Sequence, residues 1–321
     1  MKPKIVCLDC ATMYPATAPE WNALRSLGDV AIYDRTNAGE IIERAKDADI
    51  LLTNKVPLTA ATIAALPLLK YIGVLATGFN IVDIDAAKAK GIIVTNIPSY
   101  STESVAQHAI ALLLAAVSQV ESYSRSVHEG EWSACPDFSY RLFEWGELSG
   151  KTIGIVGFGH IGQAVARIAA AFGMTVAAYT SKPQSALPEG YVKMELDELF
   201  EKCDVVSLHC PLAPDTENMV DARRLSLMKP SAILINTARG PLVDEQALAD
   251  ALREKRIFAA GLDVLRKEPP APDCPLLTAP HCFITPHIAW ASVEARQRLM
   301  SITLSNIHAF LDGQPVNVVN K

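Results

Sequence analysis

The sequence lacks the features of a membrane, nucleic-acid-binding or secreted protein. Its longest apolar run, Ala109 to Val117, falls far short of the roughly 18 residues that suggest a membrane span. Lysine and arginine form no cluster that could follow a phosphate backbone, and the formal net charge of -6 is spread along the chain. The amino terminus enters a strand-like run at once, without the charged start and long apolar stretch that together make a signal peptide. We therefore expect a cytoplasmic protein with no nucleic-acid and no membrane partner.

Cysteine and histidine are placed too sparsely for a disulfide framework or a metal site. The 7 cysteines are an odd number without regular spacing, which is typical of reduced thiols. Cys7 and Cys10 form a Cys-x-x-Cys, but Cys7 lies in an apolar strand pattern and no second pair stands at zinc-ligand spacing. Cys282 belongs to another apolar run. The sequence predicts no metal.

What the sequence does contain is an alternation of strand-like and helical patterns along its 321 residues, which allow two domains of ordinary size. This alternation is typical of βαβ units and predicts an α/β fold with two Rossmann-like domains, each a doubly wound parallel sheet. The strand-like runs are Ile5 to Leu8, Val30 to Tyr33, Ile50 to Leu52, Tyr71 to Leu75, Ile92 to Val94, Thr152 to Val156, Val176 to Tyr179, Val205 to Leu208, Ala232 to Ile235, Ala259 to Leu262 and Phe283 to Ile284.

Three further segments are predicted from their composition. A long buried helix begins near Thr102, with Ser101 as its N-cap, and runs to about Val127. Residues 129–150 are rich in aromatics and turn formers and predict a loop that packs on a partner or covers a cleft. A last helix covers about Val293 to Leu311, and we expect the tail after it to return to the first domain.

A glycine loop with the spacing of a dinucleotide-binding site follows the strand Thr152 to Val156 and opens a helix. It comprises Gly157, Phe158, Gly159, His160, Ile161 and Gly162. The first glycine allows a tight turn, the second lets a pyrophosphate approach the backbone, and the third permits close packing of helix on strand. The helix amino terminus offers N–H groups to phosphate. This context predicts an NAD or NADP site.

The acid that usually binds the adenosine ribose in NAD sites, roughly 20 residues further on, is missing. No Asp or Glu occurs between Gly162 and Glu189, and the strand Val176 to Tyr179 is followed by Thr180, Ser181 and Lys182. Small polar side chains and a cation can accommodate a 2′-phosphate, which a carboxylate would repel. The sequence therefore favours NADP(H), with NAD(H) left open.

Arg239, Glu268 and His287 follow three consecutive strand-like runs, so a parallel sheet would deliver them to one rim. A guanidinium can hold the carboxylate of a 2-oxo acid, and histidine can protonate the carbonyl oxygen. A glutamate can fix the tautomer of the imidazole. Singly, each has a plainer explanation as a surface ion pair, a solvated acid or a capping histidine. Together, behind a dinucleotide loop, they predict a catalytic set for hydride chemistry on an acid.

The other histidines differ in their positions. His108 and His308 lie within helical patterns and His128 at a helix end, so core or surface roles are expected. His209 follows the strand Val205 to Leu208, and we expect it to line the cofactor cleft.

The chain resembles the D-isomer-specific 2-hydroxyacid dehydrogenase family over essentially its whole length, and most closely the glycerate dehydrogenases that act as hydroxypyruvate reductases. The family resemblance rests on the glycine loop, Asn236 to Gly240, Gly261 to Val264 leading to Glu268, and Pro286 to Ile288. The closer likeness to glycerate dehydrogenases rests on Ala289 to Ser292 and Thr180 to Lys182. The family resemblance implies a discontinuous substrate domain of residues 1–100 and 289–321, an inserted NAD(P)-binding domain of residues 101–288, and a homodimer. It also implies that Arg239, Glu268 and His287 are catalytic.

The resemblance implies further contacts. Backbone N–H groups of Ala76, Thr77 and Gly78 would bind the substrate carboxylate, and Trp290 could wall the substrate pocket, although a structural tryptophan is an equal alternative. Besides the glycine loop and Thr180 to Lys182, the implied cofactor contacts are Thr102, His209, Cys210, Pro211, Thr216, Thr237, Ala238, Asp263, His287 and Ala289. The chain departs from the usual family pattern at Thr180, where aspartate is common, and at Gln107, where glutamate is common.

The expected activity is NAD(P)H-dependent reduction of hydroxypyruvate to D-glycerate, and of glyoxylate to glycolate. Phosphoglycerate dehydrogenase is a neighbouring alternative, which often has an added regulatory domain that this sequence does not show. A corepressor that senses dinucleotides is a second alternative from another class. The complete Arg, Glu and His set argues against it.

Overall fold

The computed structural model describes residues 2–143 and 146–321, and the chain divides into two compact units. The first unit comprises the residues up to Ser101 together with Ala291–Lys321, and the second is Thr102–Trp290. The chain thus crosses between the units after Ser101 and after Trp290, whereas the predicted crossings lie after residues 100 and 288.

The first unit is built on a sheet of five parallel strands. Its strands are β1 (Lys4–Cys7), β2 (Asp29–Ile32), β3 (Ile50–Thr53), β4 (Tyr71–Val74) and β5 (Ile93–Thr95), and its first helices are α1 (Asn22–Leu27), α2 (Ile41–Ala45), α3 (Ala60–Ala64) and α4 (Ile84–Ala89). The strand order is β2-β1-β3-β4-β5. Every residue of β3 and β4 is buried, which explains their unbroken apolar runs in place of an alternating pattern.

The second unit is built on a sheet of seven parallel strands. Its helices are α5 (Thr102–Ser118), α6 (Val120–His128), α7 (Glu131–Ala134), α8 (His160–Ala171), α9 (Leu196–Lys202), α10 (Ala222–Leu227) and α11 (Glu245–Arg253). Its strands are β6 (Thr152–Val156), β7 (Thr175–Tyr179), β8 (Val192–Lys193), β9 (Val205–Leu208), β10 (Ile233–Asn236), β11 (Ala259–Leu262) and β12 (Cys282–Ile284). The order β12-β11-β10-β9-β6-β7-β8 places β6 and β9 side by side, where the strand order reverses. Such a reversal is where open α/β sheets bind ligands.

The last helix, α12 (Val293–Leu311), belongs to the first unit and packs on β4. The tail beyond it lies along β5, where Val319 N donates to Val94 O and Val318 bridges Thr95. Asn306 of α12 is buried and donates to Asn96 O. The carboxyl-terminal segment therefore completes the first unit.

The predicted α/β fold with two parallel sheets is confirmed. Each predicted strand is present with bounds that differ by at most about one residue. The short edge strand β8 was not predicted, because a run of two residues gives no periodicity to recognise.

The prediction of one buried helix from Thr102 to about Val127 is wrong. The chain bends by 56° between α5 and α6. Gln119 at the break has a φ of 46°, in the left-handed region, which amphipathic patterns do not reveal. α5 is buried on several sides, but of the α6 side chains only Ser126 is buried. The predicted loop over residues 129–150 also contains the short helix α7, and Glu144 and Trp145 lie outside the described residues.

Among the residues described, no single helix is long and apolar enough to cross a membrane. Taken together, α5 and α6 are long and apolar enough by length and composition alone, but the pair is bent by 56°.

Candidate active site

Three neighbouring strands of the second sheet lead into the loops that contain Arg239, Glu268 and His287. β10, β11 and β12 are adjacent and parallel, so these loops leave the same edge of the sheet. Arg239 and His287 closely follow β10 and β12, and Glu268 lies further along the loop after β11. The sheet topology thus places all three on one rim.

Glu268 and His287 form a direct hydrogen bond. His287 Nδ1 lies 2.6 Å from Glu268 Oε2, and both side chains are partly exposed. The other carboxylate oxygen, Oε1, accepts from Leu265 N at 3.0 Å, which fixes the orientation of the carboxylate. An ionised carboxylate only accepts hydrogen bonds, so Nδ1 is the donor. The imidazole therefore presents Nε2 as the atom that can exchange a proton with a ligand.

The backbone of His287 adopts a conformation that few residues other than glycine adopt. Its φ is 53°, and a left-handed non-glycine residue costs of order 1–3 kcal/mol unless its surroundings stabilise it. His287 N donates to Asp263 O at 2.8 Å, and His287 O accepts from Trp290 Nε1 at 2.9 Å. Both backbone groups of the histidine are therefore held by neighbours.

Asp263, directly after β11, organises the loop of residues 285–289. Its side chain is 1% exposed. Oδ1 accepts from Thr285 Oγ1 at 2.6 Å and from Ile288 N at 2.9 Å, and Oδ2 accepts from Ala289 N at 2.9 Å. A buried carboxylate needs such donors to offset its lost hydration. The loop that contains His287 is thus folded around this carboxylate, a role that was not predicted.

The loop that contains Arg239 is held by buried Asn236, whose side chain donates to Arg239 O and accepts from Ala238 N. A Cβ on Gly240 would lie 1.9 Å from the Leu265 carbonyl carbon, so this loop packs closely on the backbone ahead of Glu268. Arg239 Nη1 donates to Ala238 O at 2.7 Å. Within residues 2–143 and 146–321, no carboxylate lies within ion-pairing distance of the Arg239 guanidinium.

The glycine loop has the geometry that its spacing predicts. Gly157 has a φ of 96°, and a Cβ there would lie 2.6 Å from Cys210 N. A Cβ on Gly162 would lie 2.2 Å from Gly157 O, so both positions require glycine. Gly159 faces open space and precedes α8 without a side-chain cap. The first turn of α8 therefore points its N–H groups at a space that can hold a phosphate.

The segment after β7 turns a lysine back towards the glycine loop. Lys182 Nζ donates to Phe158 O at 3.1 Å, and Lys182 N donates to Thr180 Oγ1 at 3.2 Å. Ser181 and Lys182 are exposed. A cation and two hydroxyl groups thus lie beside the glycine loop, where no acid follows β7 until Glu189.

The segment after β9 lines the other side of the glycine loop. His209 N donates to Val156 O at 2.7 Å, and His209 Nε2 lies 2.8 Å from Ser207 Oγ. Burial lowers the pKa of His209 to about 4, so its imidazole is neutral at pH 7. Thr216 Oγ1 donates to Pro211 O and accepts from Ala213 N, which closes the loop after Cys210.

One buried hydroxyl group at this edge has no internal partner. Thr237 Oγ1, next to β10, has no hydrogen-bond partner among the residues described. Buried hydroxyl groups are rarely left without one. With the glycine loop and the uncapped helix, this orphaned atom fits a bound dinucleotide.

The remaining predicted site residues lie at the ends of elements. In the first unit, Ala76, Thr77 and Gly78 follow β4, and Thr77 Oγ1 donates to Ile97 O at 2.8 Å. In the second unit, Thr102 opens α5 and Trp290 is the last residue before the crossing. In the described part of the chain, no group of three or more His, Cys, Asp or Glu side chains is arranged to hold a metal ion.

Sequence reasoning missed the side chains of Ser104, His108 and Thr285. Ser104 Oγ donates to Ala289 O at 2.5 Å, and His108 Nε2 lies 2.8 Å from Thr285 Oγ1. Ser104 and His108 are four residues apart on α5, a spacing that places them on one helix face. Nothing in that spacing identifies the distant loop that they contact. His128 and His308 are exposed, as their patterns allow.

Comparison with known proteins establishes the family. Residues 110–289 match the NAD binding domain of D-isomer specific 2-hydroxyacid dehydrogenases. A hydroxypyruvate reductase of Blautia hydrogenotrophica is 48% identical over 322 residues, covering 99% of this chain and 100% of the relative. This chain belongs to the D-isomer-specific 2-hydroxyacid dehydrogenase family. A glycerate dehydrogenase of Methylorubrum extorquens is 42% identical and covers 99% of both chains.

A solved structure of a related reductase is similar to this dehydrogenase over nearly the full length of the chain. The NADPH-dependent glyoxylate/hydroxypyruvate reductase of Sinorhizobium meliloti, solved with NADP and malonate, has a TM-score of 0.84 and 30% sequence identity, covering 99% of this chain and 97% of that one. The predicted resemblance is confirmed, and the dehydrogenase is an NAD(P)-dependent oxidoreductase. Both NAD and NADP fit its cofactor domain.

Proposed function

We propose that the dehydrogenase reduces hydroxypyruvate to D-glycerate and, with the same residues, glyoxylate to glycolate. The observation that supports it most is the His287–Glu268 hydrogen bond of 2.6 Å on the rim that also holds Arg239. The choice of substrate is supported by the hydroxypyruvate reductase and glycerate dehydrogenase among the relatives.

When bound at the glycine loop, NAD(P)H would supply the hydride that the carbonyl carbon of the acid accepts. Arg239 holds the substrate carboxylate, and its guanidinium suits this role because it has no carboxylate partner among the described residues. His287 donates the proton on Nε2 to the carbonyl oxygen. Glu268 keeps the Nδ1 proton in place and stabilises the positive charge of the imidazolium.

We assign cofactor binding to the second unit, at the glycine loop. The main-chain N–H groups of Thr77 and Gly78 have no acceptor among the residues that the structure describes, which leaves them for a substrate carboxylate. We infer that Trp290 walls the pocket beside the small hydroxymethyl group. Its indole Nε1 donates a hydrogen bond to His287 O, the carbonyl oxygen of the proposed proton donor.

His287→Ala should lower kcat by about 10²–10⁴-fold, the usual contribution of a positioned acid or base, while NADPH still binds.

Arg239→Ala should mainly raise the KM for hydroxypyruvate, because it removes the guanidinium that binds the substrate carboxylate. Steady-state kinetics and cofactor titration by fluorescence would separate the two effects.

His281→Ala is the matched control for His287→Ala. His281 also has a positive φ, of 52°, but it is exposed and precedes β12, whereas His287 follows that strand. Near-normal turnover of the His287 variant, or equal losses in both variants, would contradict the assignment.

We propose that NADPH is the preferred cofactor. Lys182 and the hydroxyl groups of Thr180 and Ser181 suit a 2′-phosphate, and Lys182 Nζ already points back to Phe158 O. Asp at position 180 would instead accept hydrogen bonds from a ribose and repel the phosphate.

Thr180→Asp should lower kcat/KM for NADPH at least about tenfold, because the new carboxylate would repel the 2′-phosphate. The kcat/KM for NADH should stay equal or rise. Lys182→Ala should weaken NADPH selectively. Lys202→Ala, an exposed lysine paired with Glu198 on α9, is the control. Equal use of both cofactors by the unaltered enzyme, unchanged by either substitution, would refute the preference.

We propose that the dehydrogenase is a homodimer. The arm of residues 120–143 exposes large apolar side chains that a monomer would leave in water. These are Val120, Val127, Trp132, Phe138 and Leu142, and Phe138 is 90% exposed.

Light scattering should give twice the chain mass of 34.6 kDa. Phe138→Glu should shift the protein towards the monomer, because it places a charge in an apolar interface. Phe172→Glu, at another exposed phenylalanine, should not. A monomeric unaltered protein would show that the arm serves another purpose.

A further inference from the structure

Helix α5 lies unusually close to the sheet beside the proposed catalytic loop. A Cβ on Gly261 of β11 would lie 2.9 Å from Leu112 Cβ, so the helix reaches this distance only because residue 261 is glycine. Ser104, His108 and Leu112 are spaced by four residues and share one face of α5. The close approach at Leu112 therefore brings Ser104 and His108 to the carboxyl edge of β11 and β12.

The two side chains contact the two ends of the loop of residues 285–289. His108 Nε2 lies 2.8 Å from Thr285 Oγ1, and Ser104 Oγ donates to Ala289 O at 2.5 Å. Asp263 holds the same loop through Thr285, Ile288 and Ala289. His287 lies between these anchors.

The hydrogen bonds fix the direction of the His108 contact. Thr285 has one hydroxyl proton, and it is donated to Asp263 Oδ1 at 2.6 Å. Thr285 Oγ1 must therefore accept from His108, so His108 Nε2 is the donor. His108 Nε2 also lies 3.5 Å from Asp263 Oδ1, which places it beside the buried carboxylate. A residue that replaces His108 and keeps both hydrogen bonds of Thr285 Oγ1 must therefore place an N–H or O–H donor at the position of His108 Nε2.

We propose that Ser104 and His108 are positioning residues for the reduction, and we call them the α5 clamp. They hold both ends of the loop so that His287 keeps its left-handed backbone and its 2.6 Å hydrogen bond to Glu268. Displacement of a catalytic group by about 1 Å can cost 10²-fold in rate. The clamp acts through the proposed role of His287 and so rests on the proposed function.

The test compares His108→Leu, which removes the donor, with His108→Gln, which places an amide N–H near the position of Nε2. His108→Leu should lower kcat with hydroxypyruvate at least tenfold, with KM values and NADPH affinity within threefold of the unaltered enzyme. His108→Gln should restore most of kcat. His308→Leu, at an exposed histidine of α12, is the control and should change nothing.

A second readout does not depend on turnover. Hydrogen–deuterium exchange of peptides spanning residues 283–292 reports the backbone N–H groups of His287, Ile288 and Ala289, which are bonded to Asp263. Exchange there should accelerate at least tenfold in His108→Leu and stay near normal in His108→Gln. Should His108→Leu fail to fold, Ser104→Ala removes the other clamp contact, to Ala289 O, and should accelerate exchange in the same loop, whereas Ser104→Thr keeps a hydroxyl donor.

Unchanged exchange in the loop, a kcat of His108→Leu within threefold of normal, or equal losses in His108→Leu and His108→Gln would each overturn the clamp. If the unaltered protein reduces no 2-oxo acid, the proposed function fails and with it the role in reduction. The exchange data then decide separately whether the clamp holds the loop.

Discussion

The site depends on the burial of one carboxylate, that of Asp263. Removed from water, it is stable only with hydrogen-bond donors on both oxygens, and the structure provides them from Thr285, Ile288 and Ala289. Those donors all belong to the loop that contains His287, so satisfying the carboxylate also folds the loop. The same residue's carbonyl group accepts from His287 N and holds the histidine in its left-handed conformation. The geometry that we propose for proton transfer is thus a consequence of the hydrogen-bond requirement of a buried carboxylate.

The parallel sheet provides the rest of the arrangement. Its order places β10, β11 and β12 side by side, and the reversal between β6 and β9 lies at the glycine loop, where open α/β sheets bind ligands. Glycine allows the close contacts at residues 157, 162, 240 and 261, where a Cβ would lie less than 3 Å from other atoms. The family assignment follows from sequence relatives that span the whole chain, and the proposed reaction gives each residue on the rim a distinct task.

Much of this was predictable because the deciding signals are local. The glycine spacing and the apolar runs of β10, β11 and β12 are visible in the sequence, and the sheet rule then places Arg239, Glu268 and His287 on one rim. The break at Gln119 was not predictable, because a left-handed residue leaves helical periodicity intact on both sides. The contacts of Ser104 and His108 join residues 185 and 177 positions apart in the chain, and no local pattern encodes such pairs. Asp263 was assigned to the cofactor by resemblance alone, and its role in holding the loop emerged only from three-dimensional contacts.

The most direct test of the account is the oxidation of NADPH and NADH by the purified, unaltered protein with hydroxypyruvate, glyoxylate, pyruvate and 3-phosphohydroxypyruvate, followed by the absorbance of the reduced cofactor. We expect the highest kcat/KM for hydroxypyruvate with NADPH, measurable reduction of glyoxylate, and D-glycerate as the product of hydroxypyruvate reduction. A preference for 3-phosphohydroxypyruvate would contradict the proposed substrate, and the absence of turnover with all four acids would contradict the proposed chemistry of the rim.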